Sequence, residues 1–378
     1  MQTESPFPLG KYGNVPMGLS QREGIVMKKL TSVLCLLALM LSMLSGCGAP
    51  AAPAATAPET TAAPETTAAT EAPTEAPTVA PVPVRLGAMT GPTGIGMVKL
   101  FDDADQDAAS GYTYTIKGAA DELTPMLLQE ELDIVSVPAN LASVLYNKTE
   151  GGVRALAVNV LGVLYIAEFG SDEVSSVADL KGKTIYAPGQ GANPEYILRY
   201  VLTGNGLDPD KDVTLQFVGE GSELLTVWQS DPEAVILAPQ PVATSILMQN
   251  ENAKTLFDMT EEWDKIAGGG STLMMGCVIV RNEFLQANPG AVELFLQEYA
   301  ASIEKAQSDV EGTAALCQQY GLIPKAALAQ KAIPSCGLTF VTGAEMKTGL
   351  SGYLQVMFDA NPKSVGGALP GDNFYYGA

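Results

Sequence analysis

A chain of 378 residues with 42 acidic and 21 basic side chains, a formal charge of −21, and no histidine excludes several functions before any motif is read. Such acidity argues against nucleic acid and against adhesion to anionic lipid headgroups. Without histidine there is no Ser-His-Asp triad, no histidine metal cluster and no imidazole general base.

The first recognisable element is a leader. Met27-Lys28-Lys29, the apolar run 30–44 and then Leu44-Ser45-Gly46-Cys47 read as a signal peptide with a lipoprotein cleavage box. The run is too short for a stable membrane span. Signals begin at their basic end, so residues 1–26 read as an over-extended start. Cleavage makes Cys47 the lipidated N-terminus, held to a membrane by several acyl groups. Residues 48–83 are Ala, Pro, Thr and Glu with no aromatic side chain, the composition of an extended tether.

The body begins with a predicted strand, VRLGAM (84–89), a glycine-rich loop, GPTGIG, and an apolar helical pattern. The loop has phosphate-binding spacing without the phosphate-binding residues. A P-loop requires Lys and Ser or Thr where Met97 and Val98 stand. A dinucleotide fingerprint requires a third glycine where Lys99 stands. What remains is a strand, a loop and a helix start with free N–H groups.

Two segments then align without a gap at an offset of 101. GAADELTPMLLQEELDIVSVPANLASVL starts at Gly118, and GEGSELLTVWQSDPEAVILAPQPVATSI starts at Gly219. Glu122-Leu123 matches Glu223-Leu224, Pro138 matches Pro239, and Ala142 matches Ala243. Each copy predicts a helix, a buried strand, a proline turn and another helix. A glycine-rich helix start precedes each copy, GPTGIGM in one and APGQGANPEY in the other. In the second, Asn193 is suited to the N-cap and Pro194 to the first helical position. The body is therefore expected to be α/β: two lobes, each a mostly parallel βαβαβ sheet flanked by helices, with a cleft beyond the carboxyl ends of the strands. Glu122, Glu220 and Glu223 sit at helix starts, where carboxylates suit the helix dipole.

The motifs GPTGIGMVKL, DIVSVPANLASVLYN, DLKGKTIYAPGQGANPEYILRYVL, VILAPQPVAT and GCVIVRNEFLQANPGAVELFLQEY resemble those of solute-binding lipoproteins of ATP-binding-cassette importers with the type II periplasmic-binding-protein fold. They are most similar to the branch with nitrate-, sulfonate- and taurine-type binders and thiamine-pyrimidine-type proteins. The resemblance covers about residues 84–306 well and the remainder loosely. It implies one lobe of residues 84–163 plus 282–378 and another of 164–281, with crossings near 162–165 and 277–281.

By resemblance and position the cleft is lined by Met89, Thr93, Gly94 and Ile95, by Pro138, Ala139 and Asn140, by Gln190, Gly191, Ala192 and Asn193, and by Pro239 and Gln240. The amides of Asn140, Gln190, Asn193 and Gln240 can donate and accept, which suits a polar heterocycle or an organic acid. Trp263, before the flexible GGGS, is the expected aromatic wall, whereas Trp228 is expected in the core. Lys181 and Lys183 are expected to be solvated. No arginine falls on the predicted cleft loops, which weakens a strongly anionic ligand, although helix N-termini bind anions without one.

Cys277 lies in an apolar strand, and Cys317 and Cys336 are the pair that an oxidising compartment can join. These thiols are too few and too scattered for a zinc ribbon. No metal and no cofactor are implied. The leading expectation is a monomeric, non-enzymatic binding protein that delivers a small molecule to a permease and its ATPase, anchored through Cys47 on the extracytoplasmic face of the membrane. A lipid-anchored sensor is the alternative. A same-fold enzyme of the thiamine-pyrimidine synthase type is excluded, because its chemistry consumes a histidine.

Overall fold

The computed structural model describes residues 82–170, 174–219, 221–231 and 233–378. The leader, Cys47, Glu220 and nearly all of the tether lie outside the described residues, as does the side chain of Trp228. Among the described residues, no helix is long and apolar enough to cross a membrane.

Eleven strands are described: β1 Val84–Met89, β2 Tyr112–Lys117, β3 Ile134–Pro138, β4 Val153–Val160, β5 Leu164–Phe169, β6 Thr184–Pro188, β7 Thr214–Val218, β8 Val235–Pro239, β9 Ala253–Asp258, β10 Gly276–Arg281 and β11 Leu338–Val341. The helices are α1 Pro92–Ile95, α2 Val98–Gln106, α3 Ala120–Leu128, α4 Ala139–Lys148, α5 Asn193–Gly204, α6 Leu224–Ser230, α7 Val242–Gln249, α8 Met259–Ala267, α9 Asn282–Ala287, α10 Pro289–Ser308, α11 Val310–Gln319, α12 Ala326–Ala332 and α13 Gly343–Ala360.

The strands form two sheets, ordered β11-β4-β10-β3-β1-β2 and β7-β6-β8-β5-β9. In the first, β2 and β3 flank β1 in parallel, while β10 runs antiparallel to both β3 and β4. In the second, β7 and β8 flank β6 in parallel, while β5 runs antiparallel to both β8 and β9. Apart from β11, which has no counterpart in the second sheet, the two arrangements correspond strand for strand, and β3 and β8 are separated by the same offset of 101 as the sequence repeat. Both sheets are mixed rather than mostly parallel. The strand following each crossing, β5 or β10, enters its new sheet antiparallel to its neighbours.

One expected boundary is wrong. β10 was assigned to the second lobe, with the return crossing at 277–281. It lies instead in the first sheet, between β3 and β4, so the return crossing precedes Gly276. All of β10 except Arg281 is buried, as befits a strand with neighbours on both sides.

The C-terminal helices do more than cover the first lobe. Met346, Leu350, Tyr353, Leu354 and Met357 form a buried stripe at helical spacing along α13. That stripe belongs to an apolar cluster containing residues of both sheets, including Val137, Val158, Ile166 and Ile185. A second cluster lies within the first lobe and a third within the second.

Cys277, Cys317 and Cys336 are all free and buried. The expected Cys317–Cys336 disulfide is therefore not formed. Both thiols lie in the apolar cluster of the first lobe, where Cys336 Sγ donates to the Ala332 carbonyl at 3.2 Å. Burial pushes all three thiols up to about 12, which keeps them protonated and unreactive at neutral pH.

At the end of the first sheet remote from β1's carboxyl terminus, three strands are tied by charge. The buried Asp133 carboxylate accepts from Arg85 N at 3.0 Å, Arg85 Nε at 2.8 Å and Arg281 Nη2 at 2.9 Å. Burial alone would raise its pKa, but these hydrogen bonds outweigh burial and hold it below the usual carboxylate range. A depressed folded-state pKa contributes stability that is present above the unfolded value, near 4, and is lost as pH falls through the folded value. Denaturant midpoints measured from pH 5 to pH 2 are expected to fall more steeply for the parent than for Asp133→Asn. Equal slopes would show that this carboxylate titrates alike in both states.

Candidate functional site

The carboxyl ends of β1, β3 and β8, the start of α5 and the crossing after β4 converge on one cavity of about 420 Å³. Each lobe contributes to its lining. From the first come Met89, Thr90, Pro92, Thr93, Pro138 and Asn140; from the second come Ala192, Asn193, Pro194, Pro239 and Gln240. Leu141, Val160, Val163 and Met275 complete the wall. None of these side chains is charged.

Local sequence explains why these residues stand there. β3 and β8 are buried until their terminal proline, which lies at the rim of its sheet. Proline has no N–H for a further ladder bond, so pairing ends and a helix follows. At the end of β1, Thr90 N donates to Lys117 O at 2.9 Å and Gly91 N to Leu322 O at 2.9 Å. Gly91 has φ +81°, a left-handed value that glycine adopts without strain, and it turns the chain into α1.

The Thr93 carbonyl is fixed from beneath. Ser136 Oγ donates to it at 2.7 Å and Asn159 Nδ2 at 3.0 Å. Asn159 Nδ2 also lies 2.9 Å from Tyr299 OH on α10, so a buried polar chain supports this wall.

Of the residues expected at the site, the structure brings Met89, Thr93, Pro138, Asn140, Ala192, Asn193, Pro239 and Gln240 together on the cavity. Six do not line it. Gly94 is buried against its own strand end, where a Cβ would overlap Met89 O and stand 2.8 Å from Leu322 Cδ2. Ile95 and Ala139 are fully buried, and Ala139 N donates to Met275 O at 2.9 Å. Gln190 and Gly191 are exposed at the loop tip.

Trp263 is not an aromatic wall either. It is completely buried, with its ring 4.3 Å from Tyr200 and 5.7 Å from Tyr353, and its Nε1 donates to Ser271 Oγ at 2.8 Å. Tyr353 of the α13 stripe packs against the ring that was expected to meet ligand.

Asn193 also departs from expectation. It is the first residue of α5 rather than its N-cap, and its side chain does not cap the helix. Its Oδ1 is buried with no hydrogen-bond partner. Asn140 Nδ2, by contrast, donates to Ser364 O at 3.0 Å, and Gln240 Oε1 accepts from Thr244 Oγ1 at 2.7 Å. A carbonyl taken out of water without a partner is costly, so Asn193 is the amide that awaits one.

A larger cavity of about 510 Å³ lies between α5 and α13, lined by Tyr196, Arg199 and Asn361 among others. Its polar groups are already engaged: Asn361 Nδ2 donates to Tyr196 OH at 2.8 Å, and Arg199 pairs with Glu195 and Asp210.

Residues 156–311 match a family model described as NMT1/THI5 like. Among solved structures, an ABC transporter protein from Parabacteroides distasonis superposes with a TM-score of 0.65 at 20% identity, over 78% of this chain and 98% of that one. The periplasmic aliphatic sulphonate binding protein from Escherichia coli superposes with a TM-score of 0.62 at 16% identity, over 76% and 91%. The chain has the type II periplasmic-binding-protein fold. A ligand-binding component of an ABC-type import system from Staphylococcus aureus shares it, with a TM-score of 0.58 at 12% identity, over 78% and 96%. No curated protein matches in sequence.

The matched family model agrees with the branch that the motifs resemble. In this periplasmic-binding-protein fold the cavity lies where the two sheets present their strand ends. Sequence reasoning missed Thr90, Pro92, Leu141, Val160, Val163, Pro194 and Met275 on its wall. All but Val160, Val163 and Met275 adjoin a residue that was named, so a wider window on each loop would have found them. Met275 carried no local signal, because it reaches the cavity through the misassigned β10.

Proposed function

We propose that this chain is the extracytoplasmic solute-binding component of an ABC importer, capturing a small molecule between its lobes and presenting it to a membrane permease. The observation that carries this reading is a cavity of about 420 Å³ to which both lobes contribute, within the range of small-molecule sites. A ligand that touches both lobes favours the closed form by its differential contacts, and a permease can read that form. The lobes in this reading are residues 84–163 with 276–378, and residues 164–275. Binding rather than catalysis fits a wall of amides, prolines, threonines and aliphatic groups. Cys47 supplies the lipid anchor, and the tether gives the body reach from the membrane.

The test is recovery of the bound molecule. Parent protein, gently purified and then denatured, is expected to release one small molecule that mass spectrometry finds depleted from both Thr93→Trp and Ala192→Trp, which fill the cavity from opposite lobes. The same molecule at equal abundance in all three preparations would sink the reading. Palmitate labelling of the parent, absent in Cys47→Ala, checks the anchor in the same cultures.

A further inference from the structure

We infer that the molecule held in this cavity is uncharged and presents one N–H or O–H donor to Asn193 Oδ1 from an otherwise apolar body. The inference rests on the binding reading above and narrows it to a ligand class.

Charge is the first discriminator. No lysine, arginine, aspartate or glutamate lines the cavity, so a desolvated ion of either sign would enter without a charged partner. Anions can instead be held by backbone N–H groups at helix starts, and several of the N–H groups around this cavity already have partners. Thr90 N, Gly91 N, Ala139 N and Gln240 N donate to the carbonyls of Lys117, Leu322, Met275 and Val163, all at 2.9 Å. Ala192 N donates to Gly189 O at 3.0 Å, and Pro241 has no N–H.

The α5 start is further closed to anions by its own carboxylate. Glu195 stands in the first turn, and its Oε2 accepts from Gly191 N at 2.7 Å. The positive end of that helix is thus already compensated. The nearest arginine on α5, Arg199, donates to Glu195 Oε1 at 2.7 Å and to Asp210 Oδ1 at 2.8 Å. The chain's charge of −21 opposes the approach of anions as well.

Shape and polarity supply the second discriminator. Met89, Leu141, Val160, Val163 and Met275 make much of the wall aliphatic, and the two thioethers can adapt to a ring. Against this wall stands the one cavity-lining side-chain atom, among the described residues, that is buried and unpartnered: Asn193 Oδ1. A carbonyl oxygen only accepts, so the ligand must donate.

The test uses the full chain and three fluorescent probes of nearly one shape. N-phenyl-1-naphthylamine is neutral with an N–H, its N-methyl derivative lacks the N–H, and 8-anilino-1-naphthalenesulfonate adds a negative charge. Binding is read as the signal of the parent minus that of Thr93→Trp, which removes whatever the probes do elsewhere on the chain. The neutral N–H probe is expected to bind at least about 10-fold more tightly than the sulfonate. N-methylation is expected to weaken it about 3- to 10-fold, the effect of one neutral hydrogen bond. In Asn193→Leu the N–H and N-methyl probes should bind alike, with the melting temperature of the free protein unchanged or higher.

A sulfonate that binds as tightly as the neutral probe overturns the charge assignment alone. Equal affinity for the N–H and N-methyl probes in the parent overturns the donor assignment alone. Absence of any signal that depends on the cleft, for all three probes, overturns the small-molecule reading itself.

Discussion

Trp263→Ala is expected to destabilise the folded chain by about 3–5 kcal/mol, the range for truncating a large buried aromatic. The indole is wholly buried between Tyr200 of α5 and Tyr353 of α13, so one truncation empties contacts in both lobes. It also leaves Ser271 Oγ without its donor. Because the apolar cluster is shared, the loss should appear as one shifted unfolding transition. Urea melts of parent and variant measure it. A shift below about 1 kcal/mol, or an altered ligand affinity at unchanged stability, would return Trp263 to the cleft.

Gly94→Val carries the second large effect, near the upper end of the roughly 1–3 kcal/mol expected for overpacking. The obstacle to a Cβ is a backbone oxygen, that of Met89, which cannot rotate away as a side chain can. Gly191→Ala should behave differently. Nothing lies within 4 Å of a Cβ there, and its φ of +73° alone sets a cost of about 1–2 kcal/mol. Thermal melts of the two variants measure the difference, and comparable melting temperatures would show that the contact with Met89 O does not set the cost at Gly94.

What the sequence revealed, and what it hid, follows from the range of the interactions involved. The repeat at offset 101 pointed to a buried strand before each proline; those strands are Ile134–Pro138 and Val235–Pro239, and both prolines lie on the cavity wall. Those signals are local: a buried apolar run and the proline that ends it. β10 shows the same apolar run, yet nothing in it states which sheet it joins, since its partners are more than a hundred residues distant. Trp263 was misplaced for a similar reason. Its glycine-rich flank resembles an exposed loop, and the α5 and α13 rings that cover it lie well apart from it along the chain. The Gly94 signal was ambiguous at source, because a glycine needed for its own turn and a glycine facing a ligand look alike.

The position of β10 also sets the order in which the chain can be assembled. A nascent chain that has emerged as far as residue 275 already holds all five strands of the second sheet, β5 to β9. Of the first sheet it holds only β1 to β4, and β4 then has no strand beside it, since its neighbours β10 and β11 are still to come. The lobe begun first is therefore finished last. Until β10 enters, β3 and β4 expose unpaired edges on a body whose other half is complete, and an unpaired edge is where a chaperone or a second nascent chain can attach. The last eighth of the polypeptide, β11 and α13 included, closes the molecule.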